Sequence, residues 1–146
     1  MRTLATILTA LGCAAGLAAG VADAQDAAIA GVWRSQVEGT PSGLVPGVSS
    51  SDVQTLTLTG AGQYRREIVV EGGNGVEGAG GVIVDSGLYS FAAPATFQYS
   101  RRSWIVCVAN MCNPGQPIGA NSGTLPFSLT GPGTANFLGL NWTKIQ

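Results

Sequence analysis

Histidine is absent from the 146 residues, and lysine occurs once, as Lys144. Imidazole is the one side chain whose ordinary pKa lies near neutrality. Its absence excludes Ser-His-Asp and Cys-His catalysis and most zinc and copper sites. The single lysine, two residues from the C-terminus, is badly placed for the desolvated pocket that a nucleophilic amine needs. Charge is scarce as well, with 10% charged residues, a formal net charge of -1 and no basic run longer than two. A polyanion would find little to hold, so no nucleic-acid partner is expected. Carboxylate pairs are wanting too: Glu67 and Glu71 fall on one face of an extended run, about 13 Å apart, too far for acid–base partnership. No catalytic residue, metal site or cofactor follows from these residue types, and a non-enzyme is expected.

The first 24 residues read as a secretory signal peptide. Met1-Arg2 provides the positive start, Thr3 to Ala19 is apolar or small and uncharged, and Ala22-Asp23-Ala24 supplies the small residues a signal peptidase reads. The competing reading is a membrane anchor, which needs about 20 strongly apolar residues; this run is rich instead in Ala, Gly and Thr. The remaining segment, 25–146, is one domain's worth of chain, enough to bury roughly two thirds of its unfolded surface. A periplasmic or secreted protein is expected.

Three cysteines occur, and only Cys107 and Cys112 lie beyond the predicted leader, within "SWIVCVANMCNPG". Two thiolates beside Met111 would suit a soft ion such as Cu(I), and redox work usually employs a Cys-x-x-Cys spacing, whereas four residues intervene here. An oxidising compartment converts neighbouring thiols to a disulfide. A Cys107–Cys112 bridge is therefore expected, stapling the end of a strand to the loop that follows. A ring this small contributes about 2 kcal/mol in the chain-entropy account.

No stretch of 25–146 keeps apolar residues at helical spacing for three turns. Period-two alternation recurs instead, broken by Gly, Pro, Asn and Ser. Runs are predicted at Ile29–Val37, Val53–Thr59, Gln63–Glu71, Val82–Phe91, Ala95–Val108, Thr124–Thr130 and Thr134–Ile145. Gly60-Ala61-Gly62 marks a tight hairpin between the second and third, while Glu71 to Gly81 reads as a glycine-rich hairpin loop. Pro126 inside a run argues for an edge or a bulge. Seven or eight sequential strands with no room for crossover helices give an all-β fold, an antiparallel up-and-down barrel with a β-sandwich as the alternative. Trp33 and Trp142, in the first and last runs, favour a barrel in which those strands meet. Membrane-spanning strands need about 9–11 residues and an apolar outer face. Runs such as 53–59 are shorter, and Thr55, Thr57 and Thr59 make a polar face, so a membrane-spanning barrel is not expected.

Gly31-Val32-Trp33 at the start of the first run resembles the Gly-x-Trp that opens lipocalins and related avidin-like barrels. The resemblance implies a small cup-shaped barrel that binds an apolar small molecule inside. The Thr-Asp-Tyr motif of true lipocalins is not found in the chain.

Within such a cup the alternation places Tyr64, Arg66, Ile68 and Val70 on one face, and Phe97, Tyr99 and Arg101 on another, with Arg102 and Trp104 opposite. Arg66 then points inward, where a guanidinium must find partners. Either it grips the carboxylate or sulfate head of a ligand lying against Tyr64, Phe97 and Tyr99, or it pairs with Asp85 or Glu38, or it reaches a rim. Candidate ligand-binding residues are thus Trp33, Tyr64, Arg66, Phe97 and Tyr99. The expected function is binding of a small, mainly apolar molecule. The alternative is a protein-binding module, an inhibitor or an envelope assembly subunit, acting through long loops at Gly39–Ser51 and Ala109–Gly123.

Overall fold

Alternating runs such as the Thr/Leu stretch 55–59, joined by short connections, fold back on themselves hairpin by hairpin, because a short connection can join only antiparallel neighbours, which satisfy each strand's backbone and bury its apolar face. The computed structural model describes residues 27–41, 49–71, 80–92, 95–117 and 119–146. The expected signal peptide, the middle of the first long loop and most of the glycine-rich loop at 71–81 lie outside the described residues.

Nine strands form among the described residues. They are β1 (Gly31–Pro41), β2 (Ser49–Leu58), β3 (Gln63–Glu71), β4 (Gly81–Ala92), β5 (Thr96–Val108), β6 (Met111–Pro114), β7 (Ser122–Gly131), β8 (Thr134–Phe137) and β9 (Leu140–Lys144). Every pairing is antiparallel, and the order β4-β3-β2-β1-β9-β8-β7-β5 closes through a β4–β5 ladder into an eight-stranded barrel. The sandwich alternative is thereby set aside. The first and last strands do meet, although Trp33 stands opposite Lys144 and not Trp142.

Two predicted loops are partly strand. β1 continues past a bulge after Val37 to pair Thr40 with Ser50 and Pro41 with Ser49. The Ala109–Gly123 segment contains β6, which pairs with the upper half of β5 while β7 pairs with its lower half. Between the two ladders Gly115 N donates to the Trp104 carbonyl at 3.0 Å and Arg101 N to the Asn121 carbonyl at 2.6 Å, so β6 and β7 follow the same edge of β5 with their pairing interrupted at Arg102 and Ser103. Cys107 and Cys112 face each other across the β5–β6 hairpin and form the disulfide, as expected. Pro126 lies where β7 leaves β5 for β8: the β8 ladder begins at Phe127, so the missing N–H falls beyond its end.

The barrel's lower half is filled with aromatic side chains. Trp33, Phe127, Phe97, Phe137 and Trp142 are all nearly inaccessible, with ring pairs such as Phe97–Phe137 at 4.9 Å and Tyr89–Phe97 at 5.2 Å. A single helical turn at residues 27–29 closes this end, and the Trp33 indole N–H donates to the Ile29 carbonyl at 2.8 Å. Gly31, at φ +141°, lies so close to the Gln146 carbonyl that a Cβ would collide with it. This is a physical reason for glycine in the Gly-x-Trp.

The feature that shapes the upper half is a bulge in β5. Ser86 pairs with Ser103 but Gly87 pairs with Arg101, leaving Arg102 as the extra residue. A bulge reverses the alternation beyond it. Trp104 therefore faces inward with Arg101, contrary to the expectation that it shares the outer face of Arg102. Gly87 lies beside this bulge, and a Cβ there would strike the Ser100 carbonyl oxygen and come within 2.9 Å of the Tyr64 ring. Gly87→Ala is expected to destabilise the protein by about 1–3 kcal/mol through overpacking. Gly60→Ala, in open space, should cost less than about 0.5 kcal/mol. Equal denaturation midpoints for the two variants would show that Gly87 carries no steric role.

Candidate functional site

Register, not sequence proximity, assembles the site. In the barrel wall Leu56 stands opposite Arg66, Arg66 opposite Asp85, and Asp85 opposite Trp104. The neighbouring row runs Leu58, Tyr64, Gly87, Arg101. Because Gly87 has no side chain, the Tyr64 ring lies over it and its hydroxyl donates to Asp85 Oδ1 at 3.0 Å. Arg101 forks onto the same carboxylate, with Nε to Oδ1 at 2.8 Å and Nη2 to Oδ2 at 3.2 Å. Its Nη1 donates to the Ala120 carbonyl at 3.0 Å, tying the chain just before β7 to the barrel.

Arg66 is held less well. Its Nη2 reaches Asp85 Oδ2 only at 3.5 Å, beyond the usual range for a nitrogen donor. Its Nε is buried with no hydrogen-bond partner among the described residues. Among the described residues one buried carboxylate thus faces two guanidiniums, a local excess of one positive charge. Burial pulls the Arg66 pKa down, against the Asp85 charge and with the help of Arg101. The hydrogen bond to Asp85 instead raises that of Arg101. Tyr64 is raised far above the ordinary phenol range, first by burial and then by the Asp85 charge and the hydrogen bond to it.

This cluster forms one side of a cavity of about 260 Å³ whose remaining walls are apolar: Leu56, Phe97, Leu125, Phe137 and Leu138. Of the five residues picked out from the sequence, Tyr64, Arg66, Phe97 and Tyr99 line it together. Trp33 does not; it is sealed at the closed end, edge-on to Phe127 at 6.1 Å. Asp85 is the partner foreseen for Arg66. The alternation groups Arg101 with Phe97 and Tyr99, and an arginine beside aromatic side chains ordinarily covers an exposed ring. It does stack on a ring, with its guanidinium 4.9 Å from Trp104, yet that ring is buried and its own main partner is Asp85. Leu125, Phe137 and Leu138 had no distinguishing signal, since an apolar residue in a strand looks the same whether it fills a core or lines a void.

Lys144 lies at the opposite end, its Nζ donating to the Ala28 carbonyl at 3.3 Å and sitting 5.6 Å from the Trp33 ring. Among the described residues no three His, Cys, Asp or Glu side chains gather to hold a metal ion. Comparison of the chain with protein-family models, with curated proteins and with solved structures finds no significant match.

Two outcomes follow from the cluster. Asp85→Ala removes the carboxylate shared by two buried guanidiniums and should cost about 3–5 kcal/mol in chemical denaturation. Arg66→Met, which leaves Asp85 with Arg101 and Tyr64, should cost much less, and the reverse ranking would refute the arrangement. For Tyr64 the folded-state pKa is the raised one, so the unfolded chain releases its proton first. The stabilisation is intact below about pH 10, the ordinary phenol value, and declines as pH rises beyond it. An ultraviolet titration should show a late phenol that Tyr64→Phe removes; three tyrosines ionising together near their ordinary value would contradict this.

Proposed function

We propose that the protein is an exported, non-catalytic binding protein that holds a small, mainly apolar molecule in the open half of its barrel. The observation that carries this reading is the cavity itself: about 260 Å³, walled by aliphatic and aromatic side chains, with a few convergent polar groups on one side. Concave, mostly apolar pockets with a few fixed polar groups are the usual form of small-molecule sites. The aromatic packing beneath it gives the pocket a rigid floor. Resemblance to lipocalin-like barrels in the Gly31-Val32-Trp33 opening and in the strand pattern agrees with it.

Export is supported by the leader-like first 24 residues and by a disulfide that suits an oxidising compartment. The aromatic residues fill the barrel, whereas a transmembrane barrel keeps a polar interior and an apolar outer band; among the described residues no helix is long and apolar enough to span a bilayer. A non-catalytic role is supported by the chemistry at hand. The cavity's carboxylate already accepts hydrogen bonds from Arg101 and Tyr64, and the one amine is docked at the far end.

The second reading, a protein-binding module, draws on the β5–β6 hairpin. Its tip exposes Met111 at 69% and Val108 at 39%, apolar side chains of the kind that contact partners. Native mass spectrometry of protein purified from its own host separates the two. A bound small molecule, together with one-to-one uptake of a hydrophobic fluorescent probe that Leu125→Trp abolishes by filling the cavity, is the expected result. Probe uptake unaffected by Leu125→Trp, with one stoichiometric protein partner in a pull-down, would overturn the cup reading in favour of the hairpin.

A further inference from the structure

The cavity's shape and charge narrow the ligand class further, resting on the reading that the cup holds a small molecule. Arg101 is well partnered, with an acceptor for each of its three nitrogens: Nε and Nη2 are on Asp85, and Nη1 is on Ala120. Arg66 is not, since it makes one long contact and leaves its buried Nε unpaired among the described residues. A buried donor without an acceptor carries a desolvation penalty, larger when the group is charged. The pocket is therefore lined by a guanidinium whose hydrogen bonding is incomplete, beside a surplus of one positive charge among the described residues. A single negative charge brings the site to neutrality. A dianion such as a phosphate monoester would overshoot to an uncompensated buried negative charge, which is costly in a low-dielectric setting. Guanidinium and carboxylate are both planar and match two N–H donors to two oxygens.

Size sets the second limit. An apolar protein cavity of about 150 Å³ accommodates benzene. By that measure the 260 Å³ present here accepts on the order of ten non-hydrogen atoms. A long acyl chain would have to run out of the cavity into solvent. The apolar wall opposite Arg66, made by Phe97, Leu125, Phe137 and Leu138, suits a compact body such as a phenyl ring or short branched alkyl group.

We infer that the ligand is a compact aryl or alkyl monocarboxylic acid, its carboxylate on the incompletely paired guanidinium of Arg66 and its apolar body against Phe97, Leu125, Phe137 and Leu138. Asp85 acts as the internal counter-anion that fixes Arg101 and leaves Arg66 available. The site is selective for one charge and one length, not for apolar matter in general.

Isothermal titration of the purified protein with four probes tests the assignment: 3-phenylpropanoate, the neutral 3-phenylpropanol, 3-phenylpropyl phosphate and palmitate. The acid should bind at least about tenfold more tightly than the alcohol, the gain expected of one charge-assisted contact, and more tightly than the phosphate. Arg66→Met should erase the preference for the acid over the alcohol, with Arg66→Lys intermediate because it restores charge without the planar guanidinium. Acid and alcohol binding equally well in the unmodified protein would overturn the head-group assignment while leaving the cup reading intact. The same holds if the phosphate binds best. Palmitate binding more tightly than 3-phenylpropanoate would overturn the size limit. No heat from any probe, with no displacement of a hydrophobic dye, would overturn the cup reading itself. The comparison of acid with alcohol needs no variant, so it decides the question even where a substitution at Arg66 harms folding.

Discussion

The upper half of this barrel depends on a single carboxylate. Asp85, 4% exposed, keeps two arginines inside a wall that would otherwise exclude them. Moving ionised groups out of water costs several kcal/mol each even after relaxation, and it is recovered only with good geometry and satisfied hydrogen bonds. Asp85 meets that condition for Arg101, through two short contacts and support from Tyr64, but not for Arg66. The asymmetry is the chemical content of the site, since one guanidinium is held by good contacts and the other keeps an unpaired donor among the described residues.

The backbone arranges this asymmetry. Without the extra residue at Arg102, the β5 alternation would place Trp104 outside and leave the Arg101 guanidinium without the ring it stacks on at 4.9 Å. Without the missing side chain at Gly87, the Tyr64 ring would be displaced from its path to Asp85. The chain just before β7 completes the set. Asn121 accepts the Arg101 backbone N–H at 2.6 Å, and the neighbouring Ala120 carbonyl comes within reach of both Arg101 Nη1 and the Tyr99 hydroxyl. The disulfide, one hairpin away, ties β6 to β5 just above the point where the pairing along β5 is interrupted.

Much of the fold is legible in the residues because alternation with a period of two has one consequence in a closed antiparallel sheet: one set of side chains lines the inside. Tyr64, Arg66, Phe97 and Tyr99 could be gathered from that rule alone, and Asp85 was one of two acids named for Arg66. The rule fails where an irregularity intervenes. A bulge has no composition signature in "SRRSW", so Trp104 was placed on the wrong face and the part of Arg101 was misjudged. The strand β6 is hidden for a similar reason. Met111-Cys112-Asn113-Pro114 is short and exposed throughout, and only its pairing with β5 makes it a strand. Trp33 shows the remaining limit. Its inward direction follows from alternation, but its depth depends on which end the 27–29 turn closes, and no local pattern encodes that.

The division of the barrel into a filled half and an open half is itself informative. Side chains in the lower half stack ring on ring, with the N–H groups of both tryptophans donating to backbone carbonyls, so that part needs nothing further to be stable. Had the upper half served stability alone, aliphatic residues in place of the Arg–Asp–Arg cluster would have done as well or better, since well-packed apolar replacements of buried ion pairs are often neutral or stabilising. A cavity and an under-satisfied guanidinium are both costs to the folded state. They occur side by side, on the same two rows of the wall, and a bound anion would offset both at once by filling the void and pairing the guanidinium. That coincidence in space, not the presence of either feature alone, is the reason to regard this end of the barrel as a site.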